Sequence, residues 1–396
     1  MKILMLAPQP FYEERGTPIA VRLAAEALAA QGHDVELLTF HEGRDLPMPG
    51  VTHRRIAAPP GVRNVPIGFS LKKMVCDLWM LLAAIGLLAR GRHQVIHAVE
   101  EAVFFALPLA WLFRAKLVYD ADSILSEQIV EKWPKARPLA RVIQWFERLS
   151  FQRSDLVIAV CPAVREAAGR SAARERIHLL PDVAMEGRTG TAAVEDLRAI
   201  SPGRPLALYV GNLEEYQGVA LLLEAMALIV PADRPMLVVI GGRAEDVARY
   251  QALAAQRELG GHVRLLGPRP LDSLSLYLAQ ADLLCSPRLK GRNTPMKIFS
   301  YMASGKAILA TDIESHSQVL DESCALLARP ETEAMASGLR RLCTDGDLRM
   351  QLGVAAAVRA RRDYGHAAFV ERLRRAYAIL SDDDSAPSSP TALEAA

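Results

Sequence analysis

Two stretches of this sequence place glycine, threonine and proline just ahead of a helical pattern: Arg15-Gly16-Thr17-Pro18 and Gly291-Arg292-Asn293-Thr294-Pro295. Threonine suits the N-cap, where its hydroxyl accepts a free N–H of the first turn, and proline suits the first helical position. A helix start of this kind offers free N–H groups and a partial positive charge, which together can hold an anion. Simple capping accounts for either stretch just as well. The second is richer in charge, because Arg288, Lys290, Arg292 and Lys297 lie within ten residues. Four cations around free backbone donors suit a diphosphate. Lys297 would stand on the first helical turn, where the dipole disfavours a cation unless a ligand anion offsets it. The plain alternative is a solvated surface lysine.

Other candidates sit where apolar runs end. Gly211 and Asn212 follow Leu206–Val210, and Gln217-Gly218 come soon after. A glycine there lets a ligand approach the backbone closely. Gly241-Gly242 close another apolar run and read as a similar end or as a plain turn. In the first half, Asp120 and Asp122 follow Lys116–Tyr119, and His97 with Glu100-Glu101 ends the run beginning at Gln94. Asp, Glu and His in such places can serve as acids, bases or acceptors for hydroxyl groups. The plainer roles are helix capping by Asp122 or Ser123 and a buried, hydrogen-bonded His97.

These residues need elements to position them. Lys2–Ala7, Asp34–Thr39, Gln94–His97, Lys116–Tyr119 and Leu156–Val160 read as strands, with Ile19–Ala30 as a helix and amphipathic stretches between. Such alternation predicts a parallel sheet covered on both faces, which binds ligands at the carboxyl ends of its strands. From Glu186 to Pro205 the periodicity fades, and then the pattern restarts. Strands are expected at Leu206–Val210, Met236–Ile240, Val263–Leu266, Leu283–Cys285, Ala307–Ala310 and Ala325–Ala328, and helices near Val219–Ile229 and Ala244–Leu259. The fold class is therefore α/β, with two doubly wound domains over 1–188 and 189–365. A closing helix follows near 366–380, and the acidic, then Ser/Pro/Ala-rich stretch 381–396 reads as disordered.

The bulk numbers exclude several classes. A net charge of +2 over 396 residues gives no field suited to nucleic acid. Cys76, Cys161, Cys285, Cys324 and Cys343 are scattered, odd in number and without a CxxC, so neither a disulfide framework nor a zinc site is expected and a reducing compartment is favoured. The start, Met1 to Ala7 followed by Pro8, does not read as a signal peptide. No GxGxxG follows the first strand, and no Walker loop, HExxH or GxSxG is present. The apolar run Met74–Ala89, flanked by Lys72, Lys73, Arg90 and Arg92 and interrupted by Asp77, falls short of the roughly 20 residues of a bilayer span. It reads either as a buried core helix or as a helix lying on an anionic membrane surface.

Taken together, these segments resemble the retaining glycosyltransferases of family 4, which share the GT-B fold with glycogen synthase. The resemblance runs from about residue 1 to 380. It rests on Lys2–Ala7 with Gly16-Thr17-Pro18 and Gly32-His33-Asp34-Val35, on Ser154–Val160, on Leu208–Leu213, and most specifically on Pro295–Ala307. It implies two Rossmann-like domains facing across a cleft and a closing helix packed back on the first. The nucleotide of a diphosphate sugar donor would lie near Gly211, Asn212, Gln217, Arg292, Asn293, Thr294 and Lys297. Gly16 and Thr17 would stand near its diphosphate, and Asp120, Asp122 and His97 would face the acceptor. No cofactor and no metal are implied. The expected partners are a nucleotide sugar, a carbohydrate or lipid-linked acceptor and an anionic membrane surface, with no nucleic acid; the expected location is cytoplasmic, on the inner face of the membrane.

The departures are specific. Asn212 and Gln217 stand where the family usually has an Arg and a Lys gripping the diphosphate. Arg292 and Ser300 stand where it often has two glutamates, and Asp120 replaces a common histidine. A non-catalytic GT-B binder and a nucleotide-sugar epimerase are the alternative readings.

Overall fold

A computed structural model of the chain describes residues 1–13, 16–66, 70–127, 137–184 and 194–382. The chain forms two compact units. One is Met1–Pro181 together with the chain from Phe369 onward, and the other is Asp182–Ala368.

The first unit holds β1 (Lys2–Ala7), β2 (Asp34–Thr39), β3 (Val51–Arg55), β4 (Val95–Val99), β5 (Lys116–Ala121), β6 (Leu156–Ala159) and β7 (Ile177–Leu179). They form one parallel sheet in the order β3-β2-β1-β4-β5-β6-β7. Its helices are α1 (Gly16–Ala30), α2 (Leu71–Gly91), α3 (Val103–Phe113), α4 (Arg137–Arg153) and α5 (Pro162–Gly169). β4 and β6 are buried along their whole length, as expected of parallel strands covered on both faces. That is why their sequences are nearly continuous apolar runs.

The second unit repeats the plan with β8 (Leu206–Val210), β9 (Met236–Ile240), β10 (Val263–Gly267), β11 (Leu283–Ser286), β12 (Ala307–Thr311) and β13 (Leu326–Ala328), ordered β10-β9-β8-β11-β12-β13 and again parallel. Its helices are α6 (Val219–Ala227), α7 (Ala244–Gln256), α8 (Leu274–Gln280), α9 (Met296–Ala303), α10 (Glu314–Ser317), α11 (Thr332–Thr344) and α12 (Gly346–Asp363). The last helix, α13 (His366–Asp382), leaves this unit and joins the first. There Tyr377 is buried, and the Leu380 carbonyl accepts a 2.8 Å hydrogen bond from Lys116 Nζ. In both sheets the strand order reverses beside the first strand, between β1 and β4 and between β8 and β11. Ligands of doubly wound sheets bind at the carboxyl ends of the strands at this switch.

Several local expectations change. β3 and β7 are absent from the sequence reading. β3 is an edge strand of sequence Val-Thr-His-Arg-Arg with no buried residue, and β7 has three residues, so neither carries an apolar run. Helix α1 begins at Gly16, which puts Thr17 and Pro18 inside the first turn; Arg15 lies outside the described residues. Helix α9 begins at Met296, so Pro295 holds the N-cap position in an extended conformation and Thr294 precedes it. Asp120 belongs to β5 itself, and only Asp122 follows the strand. The closing helix continues to Asp382, two residues into the stretch read as a disordered tail; 383–396 lie outside the described residues.

Candidate active site

At the switch point of the second unit, β8 ends at Val210 and turns through Gly211 and Asn212, while β11 ends at Ser286 and leads through Arg288 to α9. Tyr301 of α9 fastens the two together. Its buried hydroxyl accepts the Val210 N–H at 2.8 Å. Lys297, four residues earlier and one turn away, points its ammonium the same way. Nζ donates to Gln217 Oε1 at 3.1 Å and lies 4.0 Å from the centroid of the Tyr209 ring.

Gly211 makes this approach feasible. A Cβ there would sit 3.1 Å from Tyr209 Oη and 3.3 Å from Lys297 Nζ. Behind it, a Cβ on Gly241 would fall 2.1 Å from the Gly211 carbonyl oxygen. The Gly241-Gly242 turn is therefore required by backbone packing against the site. The Asn212 side takes part through its carbonyl, which accepts a 2.6 Å hydrogen bond from Tyr209 Oη.

The electrostatics of Lys297 are unusual for a lysine. Enclosure of its ammonium, and secondly the nearby Arg288 guanidinium, bring its pKa down from 10.5 to about 7. Two basic groups thus stand close together, a disposition that an anion relieves. Arg288 also orders the loop, with Nε donating to the Lys290 carbonyl at 2.6 Å and Nη1 to that of Asn293 at 3.1 Å. Asn293 thus meets Arg288 through its main-chain carbonyl. Arg292 turns to Glu314, with Nε 3.1 Å from Oε2. Thr294 is buried, and its hydroxyl has no hydrogen-bond partner among the described residues.

His316 completes the floor. Its Nδ1 lies 2.8 Å from the Thr311 carbonyl and must donate to it, which leaves Nε2 to accept from the Ser286 hydroxyl at 2.9 Å. Burial holds its pKa down at about 3, so it remains an uncharged strut. Tyr209 and Tyr301 lie inside apolar runs and His316 in a short polar helix, and none carries a local mark of a ligand site. Arg288 was visible as part of the cation cluster.

The first unit assembles a different group. His97 on β4 is fully buried, with Nδ1 2.6 Å from Tyr377 Oη and Nε2 3.1 Å from Asp120 Oδ2. Burial keeps the Tyr377 phenol well above its ordinary pKa, so the hydroxyl donates to Nδ1 and Nε2 donates to the carboxylate. Both ring nitrogens are occupied; His97 stands behind Asp120 and orients it. Asp122 is partly exposed at the end of β5. Gly16 and Thr17 open α1, and a Cβ at Gly16 would meet nothing within 4 Å. The structure therefore brings Gly211, Asn212, Gln217, Arg288, Thr294 and Lys297 together in one unit, and His97 with Asp120 in the other.

A two-unit chain with a strand-order reversal in each sheet is the architecture of the GT-B class. The solved structures agree. Sucrose-phosphate synthase from Thermosynechococcus elongatus superposes with a TM-score of 0.77 at 21% identity over 96% of this chain and 99% of that one. Anabaena HepE in complex with UDP-glucose superposes with a TM-score of 0.73 at 16% identity, over 96% and 99%. Residues 15–182 match the family model "Glycosyl transferase 4-like domain" and residues 196–359 match "Glycosyl transferases group 1". The chain is thus a glycosyltransferase-family protein, related to family 4.

Among curated relatives, a phosphatidyl-myo-inositol mannosyltransferase of Mycolicibacterium smegmatis is 29% identical over 44% of this chain and 45% of its own length. The chain matches less than half the length of that relative. A D-inositol 3-phosphate glycosyltransferase of Nocardia farcinica is 24% identical over 87% of this chain and 80% of its own length.

Proposed function

We propose that the protein transfers a sugar from a nucleotide diphosphate donor to a carbohydrate or lipid-linked acceptor, with retention of configuration and without a metal ion, on the cytoplasmic side of the membrane. One observation carries the donor half. In the family resembled, the diphosphate meets a lysine at the position of Gln217, and here Lys297 reaches that position from α9, 3.1 Å from Gln217 Oε1. The cation has changed its point of attachment and kept its place. Arg288 and the Thr294 hydroxyl, buried and unpartnered among the described residues, add a second charge and a donor. Leaving-group charge is met there by lysine and fixed dipoles.

For the acceptor half, Asp120 is the group that His97 orients, so it is assigned the contact with the reacting hydroxyl, with Asp122 beside it. Gly16 and Thr17 keep the role that the resemblance implies, near the diphosphate.

The test is turnover of a panel of nucleotide diphosphate sugars with and without chelator, with the anomeric configuration of the product read by NMR. Hydrolysis or transfer that persists in chelator and keeps the donor's configuration is expected. Loss of turnover restored by manganese would overturn the metal-free mechanism, and an inverted product the retaining one.

A further inference from the structure

Three helices of the first unit carry an apolar surface that the unit leaves uncovered. Helix α2 has two apolar faces. Cys76, Met80, Ala84 and Leu88 are buried in the unit's core. On the opposite side Leu71, Met74, Val75, Leu78, Leu82 and Ile85 are 37–79% exposed. Their spacing of three and four residues gathers them into one stripe. Helix α3, apolar throughout its sequence, adds Trp111, 83% exposed, and Leu112. Helix α4 adds Val142, Trp145 and Phe146. The three helices adjoin. Helix α2 packs on α3 and α3 on α4; Phe104 of α3 meets Phe146 edge-on with ring centroids 6.2 Å apart, and Trp145 lies 4.9 Å from Phe146.

The exposed charge that these helices themselves carry is one-sided. Among the described residues of the three helices and the residues that follow α2 and α3, every exposed charged side chain is Lys or Arg, including Lys72, Arg90, Arg114, Arg141 and Arg148. The acids are turned away from solvent. Glu147 is buried. Asp77 lies on the inner flank near Lys73 and Glu101, and burial, with Glu101 adding to it, pushes its pKa up to about 8.

We propose that this three-helix face docks on an anionic lipid bilayer, with α2 lying in the interface and Trp111 and Trp145 at headgroup depth. Apolar side chains, interfacial tryptophans and a cationic rim are the three elements that bind a helix surface to such a bilayer. By length and composition α2 meets the requirement of a bilayer-crossing helix, but its second face belongs to the core of the sheet, which holds it flat. This inference does not depend on the donor site, and its test uses no donor.

The experiment is flotation of the full chain with vesicles of phosphatidylcholine alone or mixed with phosphatidylglycerol. Flotation with the anionic vesicles, weakened by salt, is expected. Each of Arg141→Gln and Arg148→Gln lowers partitioning by about fivefold. The pair Trp111→Ser and Trp145→Ser lowers it by about tenfold, with an unchanged unfolding temperature because both rings are exposed. The proposal is overturned by absence from both floating fractions, by variants that float like the parent, or by extraction only in detergent. It is also overturned if the chain ignores vesicles and forms a dimer that the tryptophan substitutions abolish, since the face then belongs to a second copy.

Discussion

The two sheets share the order of their first six strands and a switch point, yet the ends of their strands are built from opposite chemistries. In the second unit the switch is lined by glycine, threonine and two cations drawn from α9 and the loop before it. In the first, the neighbouring strand end presents carboxylates, with Asp120 oriented by His97 and Asp122 just beyond. One end gathers cations, which suit an anion, and the other carboxylates, a residue type that can accept a proton. The repeated fold supplies two places for a ligand; only the side chains decide which ligand each takes.

The sharpest way to break this comparison is to remove the charge at the acidic end. Asp120→Asn keeps a hydrogen-bonding group and is expected to lower kcat by roughly 10²- to 10⁴-fold, while donor affinity stays within about twofold. A variant that loses the donor and keeps its turnover would mean that the acidic end, too, belongs to donor binding.

At the cationic end, Lys297→Ala is expected to weaken binding of a nucleotide diphosphate by about 10- to 150-fold, the value of a charged hydrogen bond of roughly 1.5–3 kcal/mol. Lys306→Ala, past the end of α9, should do much less. Titration calorimetry on both decides it, and a parent-like Lys297→Ala beside an impaired Arg288→Ala would move the phosphates onto the loop. The same lysine sets a pH dependence. Its folded-state pKa of about 7 lies below the ordinary 10.5, so the free site loses its charge as pH rises through 7. Donor affinity should then fall by up to about tenfold per pH unit above 7. Stability runs the other way: the unfolded chain holds the proton that the folded one has released, so unfolding free energy rises from pH 7 toward 10.5. Lys297→Met should abolish both slopes.

The smallest effect is expected at Thr294. Its buried hydroxyl is unpartnered among the described residues, so Thr294→Val should raise the unfolding temperature while weakening donor binding by about two- to tenfold, the worth of one neutral hydrogen bond. A rise in both stability and affinity would remove Thr294 from the site.

Much of this molecule is written in local pattern. Continuous apolar runs such as Met236–Ile240 and Ala307–Thr311 identify strands buried on both faces, and Gly211, Arg288 and Lys297 stand out by type and position alone. The edge strands β3 and β7 did not, because an edge has little burial to record in its sequence. What tertiary structure alone decided are pairings across distance. Lys297 reaches Gln217 across 80 positions, and His97 reaches Tyr377 across 280. Periodicity describes which face of an element is apolar; it holds no information on which other element will meet that face. For that reason the sequence left the Met74–Ala89 run open between core and surface, and the packed unit shows a helix apolar on both sides with one side still uncovered.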